Sequence, residues 1–440
     1  MKTAVRFPPS PTGFLHVGNA RIALINYLFA KKNGSEIFLR FDDTDTARGK
    51  EEFKIQMEED LRWLGFTFAK TFEQSKRIEI YKEIFQKLLQ VGAVYACFET
   101  EEELEIKRKL QLSNGKPPIY QRTEFTQEQL RNAPYFRFQL SKNKIQWNDL
   151  IQGEMSYEGA DLSDPVILRA NGNFMYTFCS VVDDFLMNIS HVIRGADHIT
   201  NTAIQIQIFN AIAKVLGEEK SIFFAHLPLF QGKEGKISKR VGGFSIMEMR
   251  KNGFRAEAIN NILAKIGLSY YEDTFQSMED LIAKFDISKF NKAQITFDFS
   301  LLEIFNQKAI SHLEYSEAKP EIPPQMTEQF FLKIRENLTF LSESFEWFDA
   351  IKNPDKKNQI QEIDKPFISE LYLNLKDAES ITWENLLTTV KQKFPTRKGK
   401  EIFMPIRFVL TGKTHGPEMH FIIDEMGSDL IKKRFFDSLQ

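Results

Sequence analysis

The stretch RFPPSPTGFLHVGN, residues 6–19, decides how this chain begins to fold and where its principal site lies. It leaves a strand-like segment, turns through three prolines and a glycine, and enters a helix-like segment at Val17. The first N–H groups of a helix attract anions such as phosphate. His16 can hydrogen-bond a phosphate oxygen, and Gly18 lets the backbone approach closely. The stretch therefore predicts a phosphate-binding strand, turn and helix.

A second segment, KISKR at residues 236–240, supplies lysine charge inside a glycine-rich loop. Each segment alone has a simpler interpretation, since KISKR also suits a solvated basic loop and His16 a surface histidine. Together they predict a two-part clamp for ATP phosphates. Lys239 is the predicted main contact and Lys236 its support, with Ser238 between them.

The two segments resemble the paired signatures of class I aminoacyl-tRNA synthetases. The Pro-Ser-Pro-Thr-Gly lead-in narrows the resemblance to the glutamate and glutamine branch, most closely to bacterial-type glutamyl-tRNA synthetases. The resemblance implies ATP as a substrate, assisted by Mg²⁺, and an aminoacyl-adenylate intermediate. It implies catalytic roles for His16, Lys236 and Lys239, and ATP contacts for the residues His16, Gly18, Asn19, Asp197, Lys236, Ser238 and Lys239. Many class I enzymes have a second histidine where this chain has Asn19.

The same resemblance implies a pocket for L-glutamate. It places Arg6 and Arg194 beside the side-chain carboxylate, which suits guanidinium because its forked donors match a carboxylate and its charge is permanent. The other implied glutamate-binding residues are Ser10, Asp42, Tyr176 and Ser180. Two of these depart from the family, which commonly has glutamate at the position of Asp42 and an amide at that of Ser180.

The residues leave alternatives open. Arg6 also fits a salt bridge at a strand end, and Arg194 a sheet-edge ion pair with Asp183 or Asp184. A glutaminyl-tRNA synthetase is the runner-up, because FDDT at residues 41–44 resembles that enzyme too. Arg194 favours glutamate, since a pocket for a neutral amide should not bury an unpaired guanidinium. A tRNA-binding paralogue without catalysis, or a relative that transfers to another acceptor, remains a third possibility.

The order of segments predicts a Rossmann-type α/β domain with an α+β insertion, followed by an all-α C-terminal region. The family resemblance implies that the first is the catalytic domain and the last the anticodon-binding region. Parallel α/β sheets hold ligands at the carboxyl ends of their strands, where residues 42–45 would lie. The same resemblance implies a catalytic domain in two halves, an acceptor-end-binding insertion, a linking domain and a helical anticodon-binding domain. The catalytic domain is expected at residues 1–91 and 179–245, and the insertion at 92–178. The linking domain is expected at 246–324 and the anticodon-binding domain at 325–440.

Composition narrows the class of protein. The chain has 440 residues with 42% hydrophobic and 27% charged residues, which is typical of a globular protein of several domains. We expect no membrane span, because no long apolar run occurs. Neither a signal peptide nor a disulfide framework is expected, since a strand-like segment starts at once and only two cysteines are present. These features predict a cytoplasmic protein, in a bacterial-type cytosol or an organelle matrix.

The net charge of −2 means that tRNA contacts must come from local basic patches. The best candidate patch consists of Lys391, Lys393, Arg397, Lys398 and Lys400, although a solvated surface explains any single lysine equally well. Some relatives carry zinc in the insertion, but Cys97 is the only cysteine there, so we expect no zinc. The expected partners of this monomer are ATP, glutamate and tRNA(Glu), with tRNA(Gln) left open.

Overall fold

The computed structural model describes residues 3–44, 49–132, 134–231, 245–269 and 274–440. The chain divides into two compact units, of which the first comprises residues 1–251 and 259–298, and the second 252–258 and 299–440. Each unit is described by itself. The four expected domains, of which the catalytic domain comprises two segments, stay predictions.

The first unit combines strands and helices throughout. Its strands are β1 Ala4–Phe7, β2 Glu36–Phe41, β3 Lys70–Glu73, β4 Val94–Cys97, β5 Tyr135–Phe138, β6 Ile145–Asp149, β7 Gly153–Tyr157, β8 Val166–Leu168, β9 His191–Gly195, β10 Phe223–Leu227, β11 Phe230–Gln231 and β12 Ile295–Thr296. Its first helices are α1 Val17–Lys32, α2 Glu51–Trp63, α3 Ile78–Gln90, α4 Glu101–Ser113, α5 Tyr176–Leu186 and α6 Ile199–Leu216. Further helices along the chain are Ile246–Lys251, Ala256–Lys265 and Met278–Lys284.

Parallel strands form the centre of this unit. β1, β2 and β3 pair in parallel, as do β9 and β10. A parallel bridge between Ala4 and Ile189 brings β1 beside β9. Strands in such a sheet are covered by helices on their faces, which explains the apolar runs of β2, β9 and β10. The predicted α/β fold class is confirmed, and the carboxyl ends of these strands meet at one edge.

Helix α1 is the next element after β1, and it ends in a sharp turn. Asn33 is its C-cap, and Gly34 adopts a φ of 61°. Glycine reaches this left-handed conformation without the steric cost that a Cβ would impose. The chain can therefore turn sharply from α1 into β2.

The predicted insertion, residues 92–178, has two parts in the structure. β4, β5 and β8 form an antiparallel sheet, and α4 follows β4 in the chain. β6 instead pairs in parallel with β10, with Asp149 opposite Phe224, and β7 pairs with β6. A segment that the sequence pattern assigns to the insertion thus extends the sheet that contains β9.

The second unit is helical. Its main helices are Phe299–Ser311, Tyr315–Ala318, Glu328–Ile334, Glu343–Lys352, Lys365–Leu375, Trp383–Lys393, Lys400–Thr411 and Met419–Leu439. They enclose an apolar core that includes Phe331, Trp347, Phe367 and Ile422. The predicted all-α C-terminal region is confirmed. Within the described part of the chain, no helix is both long and apolar enough to cross a membrane.

A buried carboxyl in α2 predicts a pH-dependent stability. Asp60 is 0% exposed, accepts a hydrogen bond from Gln56 (3.0 Å) and has no hydrogen-bond partner for Oδ2 within the described structure. Burial raises its pKa to about 6, whereas an unfolded aspartate titrates near pH 4. The folded chain therefore holds the proton more tightly, and the stability that this proton confers is lost as pH rises through that range.

We expect Asp60→Asn to remove this pH dependence, because asparagine keeps the shape but does not ionise. As pH rises from about 4 to about 8, the free energy of unfolding of the variant should increase by roughly 3 kcal/mol relative to that of wild type. Calorimetric melting of both proteins across that range measures the shift. Parallel pH profiles would contradict the assignment.

Candidate active site

A cavity of about 970 Å³ lies at the carboxyl ends of β1, β9 and β10, beside the start of α1. It brings together predicted residues that are far apart in the sequence, namely Arg6, Ser10, His16, Gly18, Asn19, Tyr176, Arg194 and Asp197. Its other walls include the apolar residues Phe7, Ile22, Leu227, Leu229 and Phe230. The shared edge of the parallel strands is the reason these residues converge.

His16 is the N-cap of α1 and has a specific protonation pattern. Its Nδ1 accepts hydrogen bonds from the backbone N–H groups of Gly18 (3.1 Å) and Asn19 (3.3 Å). Nδ1 must then carry no proton, so a neutral imidazole presents Nε2–H as a donor. The surrounding protein atoms lower the pKa of His16 by desolvation, which favours this neutral form although the side chain is exposed.

This arrangement corrects one expectation. The sequence predicts that the first N–H groups of α1 are offered to an anion, but those of Gly18 and Asn19 are bonded to His16 instead. The imidazole occupies the position because a helix start leaves donors that need acceptors. His16 therefore stands between the helix and the cavity and replaces two backbone donors with one ring donor.

Gly18 is needed for this ring position. A Cβ at residue 18 would lie 3.0 Å from His16 Cε1 and 3.1 Å from Nδ1, which is tighter than ordinary contact. We expect Gly18→Ala to displace the imidazole while the helix gains up to about 1 kcal/mol from alanine. The KM for ATP should rise about 10-fold with little change in thermal midpoint, as measured by pyrophosphate exchange and calorimetry. An unchanged KM would show that the ring position is irrelevant to ATP.

Arg6 and Arg194 reach the cavity from neighbouring strands, and both are almost fully buried. Arg6 donates from Nε to Asp184 (3.1 Å), and its buried Nη1 has no hydrogen-bond partner within the described structure. Arg194 contacts neutral acceptors instead: Thr202 Oγ1 (2.6 Å), His226 Nε2 (3.3 Å) and the carbonyl of His198 (3.4 Å). Two guanidinium groups thus border one cavity, and they carry more positive charge than their contacts neutralise.

The predicted alternatives for these arginines have different outcomes. The salt bridge suggested for Arg6 exists, with Asp184, yet Arg6 also lines the cavity. The ion pair suggested for Arg194 does not exist, because Asp183 and Asp184 bind other groups. Among the described residues, Asp183 accepts from Gln74, Arg77 and Tyr81, whereas Asp184 accepts from Arg6 and Arg40.

Asp42 and Ser180 do not line the cavity, contrary to the geometry expected for direct glutamate contact. Both carboxylate oxygens of Asp42 accept from Arg40, at 2.7 and 3.2 Å. Ser180 Oγ accepts from Gln205 (3.0 Å). These side chains lie behind the cavity because buried polar groups must be paired, and their partners are internal.

The sequence interpretation missed Arg40, which is fully buried at the centre of this network. It pairs with Asp42 and Asp184 at 2.7 Å and lies 3.8 Å from Asp183. Burial raises the pKa of Asp42, and Arg40 counteracts that rise. The signal in the sequence was a charged residue inside the apolar strand IFLRF, which requires buried acids nearby.

Arg21 was also missed, although it lines the cavity from α1. It donates to the carbonyls of Pro228 (2.8 Å) and Ile266 (3.2 Å), and its guanidinium lies over the ring of Phe230. Burial lowers the pKa of Arg21 to about 9. Its contacts indicate that it holds the segment after β10 against α1.

Lys236, Ser238 and Lys239 lie outside the described residues. The described chain on either side reaches the site, since Phe230 lines the cavity and Ser245 forms a bridge with His16. Asp197, which is also a predicted ATP contact, has an exposed carboxylate. Tyr176 lines the cavity together with Arg194.

The predicted tRNA-binding patch lies in the second unit. Lys391 and Lys393 are in the last turn of one helix, and Lys400 begins the next; these lysines and Lys398 are exposed. Arg397 is engaged within the protein, because it stacks 4.3 Å from the Phe367 ring centroid and pairs with Asp364 at 3.5 Å. The lysines are therefore better placed than Arg397 to contact phosphates.

The interior of the insertion contains a hydrogen-bonded cluster around Cys97. Its thiol accepts from the hydroxyl of Tyr120 (3.3 Å), which also contacts Glu99 (3.1 Å). Burial raises the pKa of Cys97 and so disfavours the thiolate that binds metals. In the described part of the chain, no group of three or more potential metal ligands occurs.

Two protein families match this chain, one over its α/β region and one over its helical C-terminal region. Residues 2–304 match the family described as tRNA synthetases class I (E and Q), catalytic domain. Residues 318–438 match the family described as anticodon binding domain. A glutamate-tRNA ligase 1 of Rickettsia prowazekii is 42% identical, with 98% of each chain covered. A glutamate-tRNA ligase 2 of Orientia tsutsugamushi is 41% identical over 99% of each chain.

Solved structures give the same result for the fold. A glutamate tRNA ligase from Elizabethkingia meningosepticum, crystallised with its amino acid, has a TM-score of 0.82 and 25% identity. That comparison covers 100% of this chain and 99% of the other. A glutamate-tRNA synthetase from Elizabethkingia anophelis matches with the same TM-score and identity. The chain therefore belongs to the class I tRNA synthetases of the glutamate and glutamine branch.

Proposed function

We propose that this protein is a glutamate-tRNA ligase, which attaches L-glutamate to the 3′ end of tRNA(Glu) at the expense of ATP. The glutamate α-carboxylate attacks the α-phosphate of ATP, and pyrophosphate leaves. The terminal ribose hydroxyl of the tRNA then takes the glutamyl group from the adenylate, and AMP leaves. No protein nucleophile is required, so catalysis rests on positioning and charge stabilisation.

One observation carries the choice of amino acid. Arg6 and Arg194 border the same cavity, and Arg194 contacts only neutral acceptors among the described residues. A buried guanidinium with no acidic contact is costly unless an anion joins it. The side-chain carboxylate of glutamate supplies that anion, whereas the amide of glutamine does not. This is the physical reason to favour glutamate over the runner-up, glutamine.

The geometry supports the following glutamate contacts as part of the proposal. Arg6 and Arg194 bind the side-chain carboxylate, while Tyr176 and Ser10 line the rest of the pocket. Asp42 and Ser180 act from behind the cavity in this proposal, by holding Arg40 and Gln205 in place, rather than by touching glutamate.

The ATP contacts occupy the α1 side of the cavity. His16 donates Nε2–H to a phosphate oxygen, while Gly18 and Asn19 hold its ring and Asp197 faces the nucleoside. Lys236, Ser238 and Lys239 are proposed to bind the phosphates as the family signature implies. Mg²⁺ enters as part of the ATP substrate, and we assign it no protein ligand.

The exposed lysines of the second unit are proposed to contact tRNA phosphates, which gives affinity and orientation without base choice. The proposal includes tRNA(Glu) as acceptor, with tRNA(Gln) as a second acceptor to be tested. We further propose a monomer that acts in the cytoplasm and needs no zinc.

Aminoacylation of unfractionated bacterial tRNA, with labelled glutamate and labelled glutamine in parallel, tests the function. Incorporation of glutamate alone supports the proposal, and separate assays with tRNA(Glu) and tRNA(Gln) transcripts then identify the acceptors. Incorporation of glutamine would overturn the pocket assignment. Incorporation of neither amino acid would favour the interpretation of the protein as a tRNA-binding paralogue without catalysis.

A further inference from the structure

Behind Arg194 lies a buried chain of polar groups. His226, on β10, is 0% exposed, and Asp149, at the end of β6, is 2% exposed. His226 Nδ1 and Asp149 Oδ2 are 2.5 Å apart, and His226 Nε2 accepts from Arg194 Nε at 3.3 Å. Neither His226 nor Asp149 lines the cavity.

The backbone determines which atom of Asp149 faces the histidine. Oδ1 accepts three backbone N–H groups, from His226 (3.1 Å), Ile151 (3.0 Å) and Gln152 (2.9 Å). Oδ2 is left to accept from His226 Nδ1. The imidazole proton must therefore reside on Nδ1, which leaves the lone pair of Nε2 directed at Arg194.

Thr202 completes the arrangement. Its hydroxyl oxygen accepts from Arg194 Nη2 (2.6 Å), and it lies within hydrogen-bond distance of His226 Nε2 and the His198 carbonyl. The Arg194 guanidinium is thereby oriented by neutral acceptors. The imidazole ring of His226 lies between the carboxylate of Asp149 and the guanidinium of Arg194.

We infer that Asp149 and His226 form a positioning pair that orients Arg194 through one histidine tautomer, and so set the preference for glutamate over glutamine. This inference rests on the proposed function. A carboxylate in direct contact would orient the guanidinium equally well, but it would neutralise the charge that must bind substrate. A neutral acceptor held by a remote carboxylate orients the group and leaves its charge for the ligand.

Asp149→Asn tests the inference with almost no change in shape. The three backbone N–H groups keep the asparagine oxygen on their side, so its NH₂ group faces His226 Nδ1. Nδ1 must then accept, the proton moves to Nε2, and a ring donor opposes the Nε–H of Arg194. We expect the KM for glutamate to rise about 10- to 100-fold and the glutamate-to-glutamine ratio of kcat/KM to fall. The KM for ATP should stay within about twofold.

The matched control is Asp164→Asn. Asp164 is a buried aspartate of the same 92–178 segment that accepts from Tyr95 (2.6 Å) and from the backbone of Leu140 (3.1 Å), outside the cavity. A general loss of packing should affect both variants and both substrates alike. Thr202→Ser and Thr202→Val provide a second pair, since serine keeps the acceptor for Arg194 and valine removes it. Only valine should raise the KM for glutamate.

Nitrogen-15 NMR of histidine-labelled protein gives a readout that is independent of activity. Wild type should show His226 with its proton on Nδ1, and Asp149→Asn should show it on Nε2. A reversed tautomer with an unchanged KM for glutamate would overturn the inference, as would an unchanged tautomer. If Asp149→Asn does not fold, an equal KM for glutamate in the two Thr202 variants overturns it instead. If the wild-type protein attaches no glutamate to tRNA, the proposed function is refuted. The NMR measurement of the His226 tautomer tests the tautomer assignment independently of that result.

Discussion

Arg194→Gln should raise the KM for glutamate by about 100-fold or more, equivalent to roughly 3 kcal/mol of lost binding. The reason is electrostatic, because the variant replaces a buried cation by a neutral amide at the same position. Arg6 would remain, so residual binding is expected rather than none. Glutamine carries no charge on its side chain, and its KM should therefore change little. The preference between the two amino acids should collapse by about the same factor.

Aminoacylation kinetics with each amino acid measure this change. Arg122→Gln is a suitable control, because Arg122 is an exposed arginine of the insertion that stacks on Tyr95 and does not line the cavity. It should leave both KM values near those of wild type. An unchanged KM for glutamate in Arg194→Gln would remove Arg194 from the pocket and reopen the choice between glutamate and glutamine.

Among the single substitutions described for this protein, we expect Arg40→Met to cause the largest loss of folding stability. Asp184 would keep Arg6 and Asp183 would keep Arg77, but Asp42 would lose both of its hydrogen bonds and its counter-charge. Leaving a buried charge unpaired typically costs about 3–5 kcal/mol. We expect the melting transition of the first unit to fall by about 10 °C, as measured by calorimetry.

Two comparisons separate this cause from simple loss of packing. The double variant Arg40→Met/Asp42→Leu removes the charge together with its partner and should recover much of the loss. Lower pH should also narrow the gap between Arg40→Met and wild type. The unpaired carboxyl has a raised folded-state pKa, so protonation favours the folded form as pH falls from about 8 to about 5. A gap that is independent of pH would contradict the electrostatic explanation.

The polar network around the cavity contains charge pairings that could not be predicted from the sequence. Arg6 and Arg194 could be named from their motif positions, and both line the cavity. Asp42 was named in the same way, yet its carboxylate is directed to Arg40, two residues before it in the chain. Which acid faces the ligand and which faces another buried charge depends on distances between strands, and residue order does not contain those distances.

The N–H groups at the start of α1 give a second example. The motif predicts a helix start beside the phosphates, and α1 does begin at Val17. Only the rotamer of His16 reveals that its Nδ1 takes the donors of Gly18 and Asn19. Side-chain rotamers result from packing against neighbours that are remote in the sequence.

By itself, the sequence determined the α/β catalytic region, the helical C-terminal region, the family and the residue types of the site, because motifs and periodicity are local. The tertiary structure alone decided how the buried charges pair and that β6 brings Asp149 to β10, behind Arg194. The physical reason is that burial forces each charge to find a partner, and only the fold determines which partners are within reach.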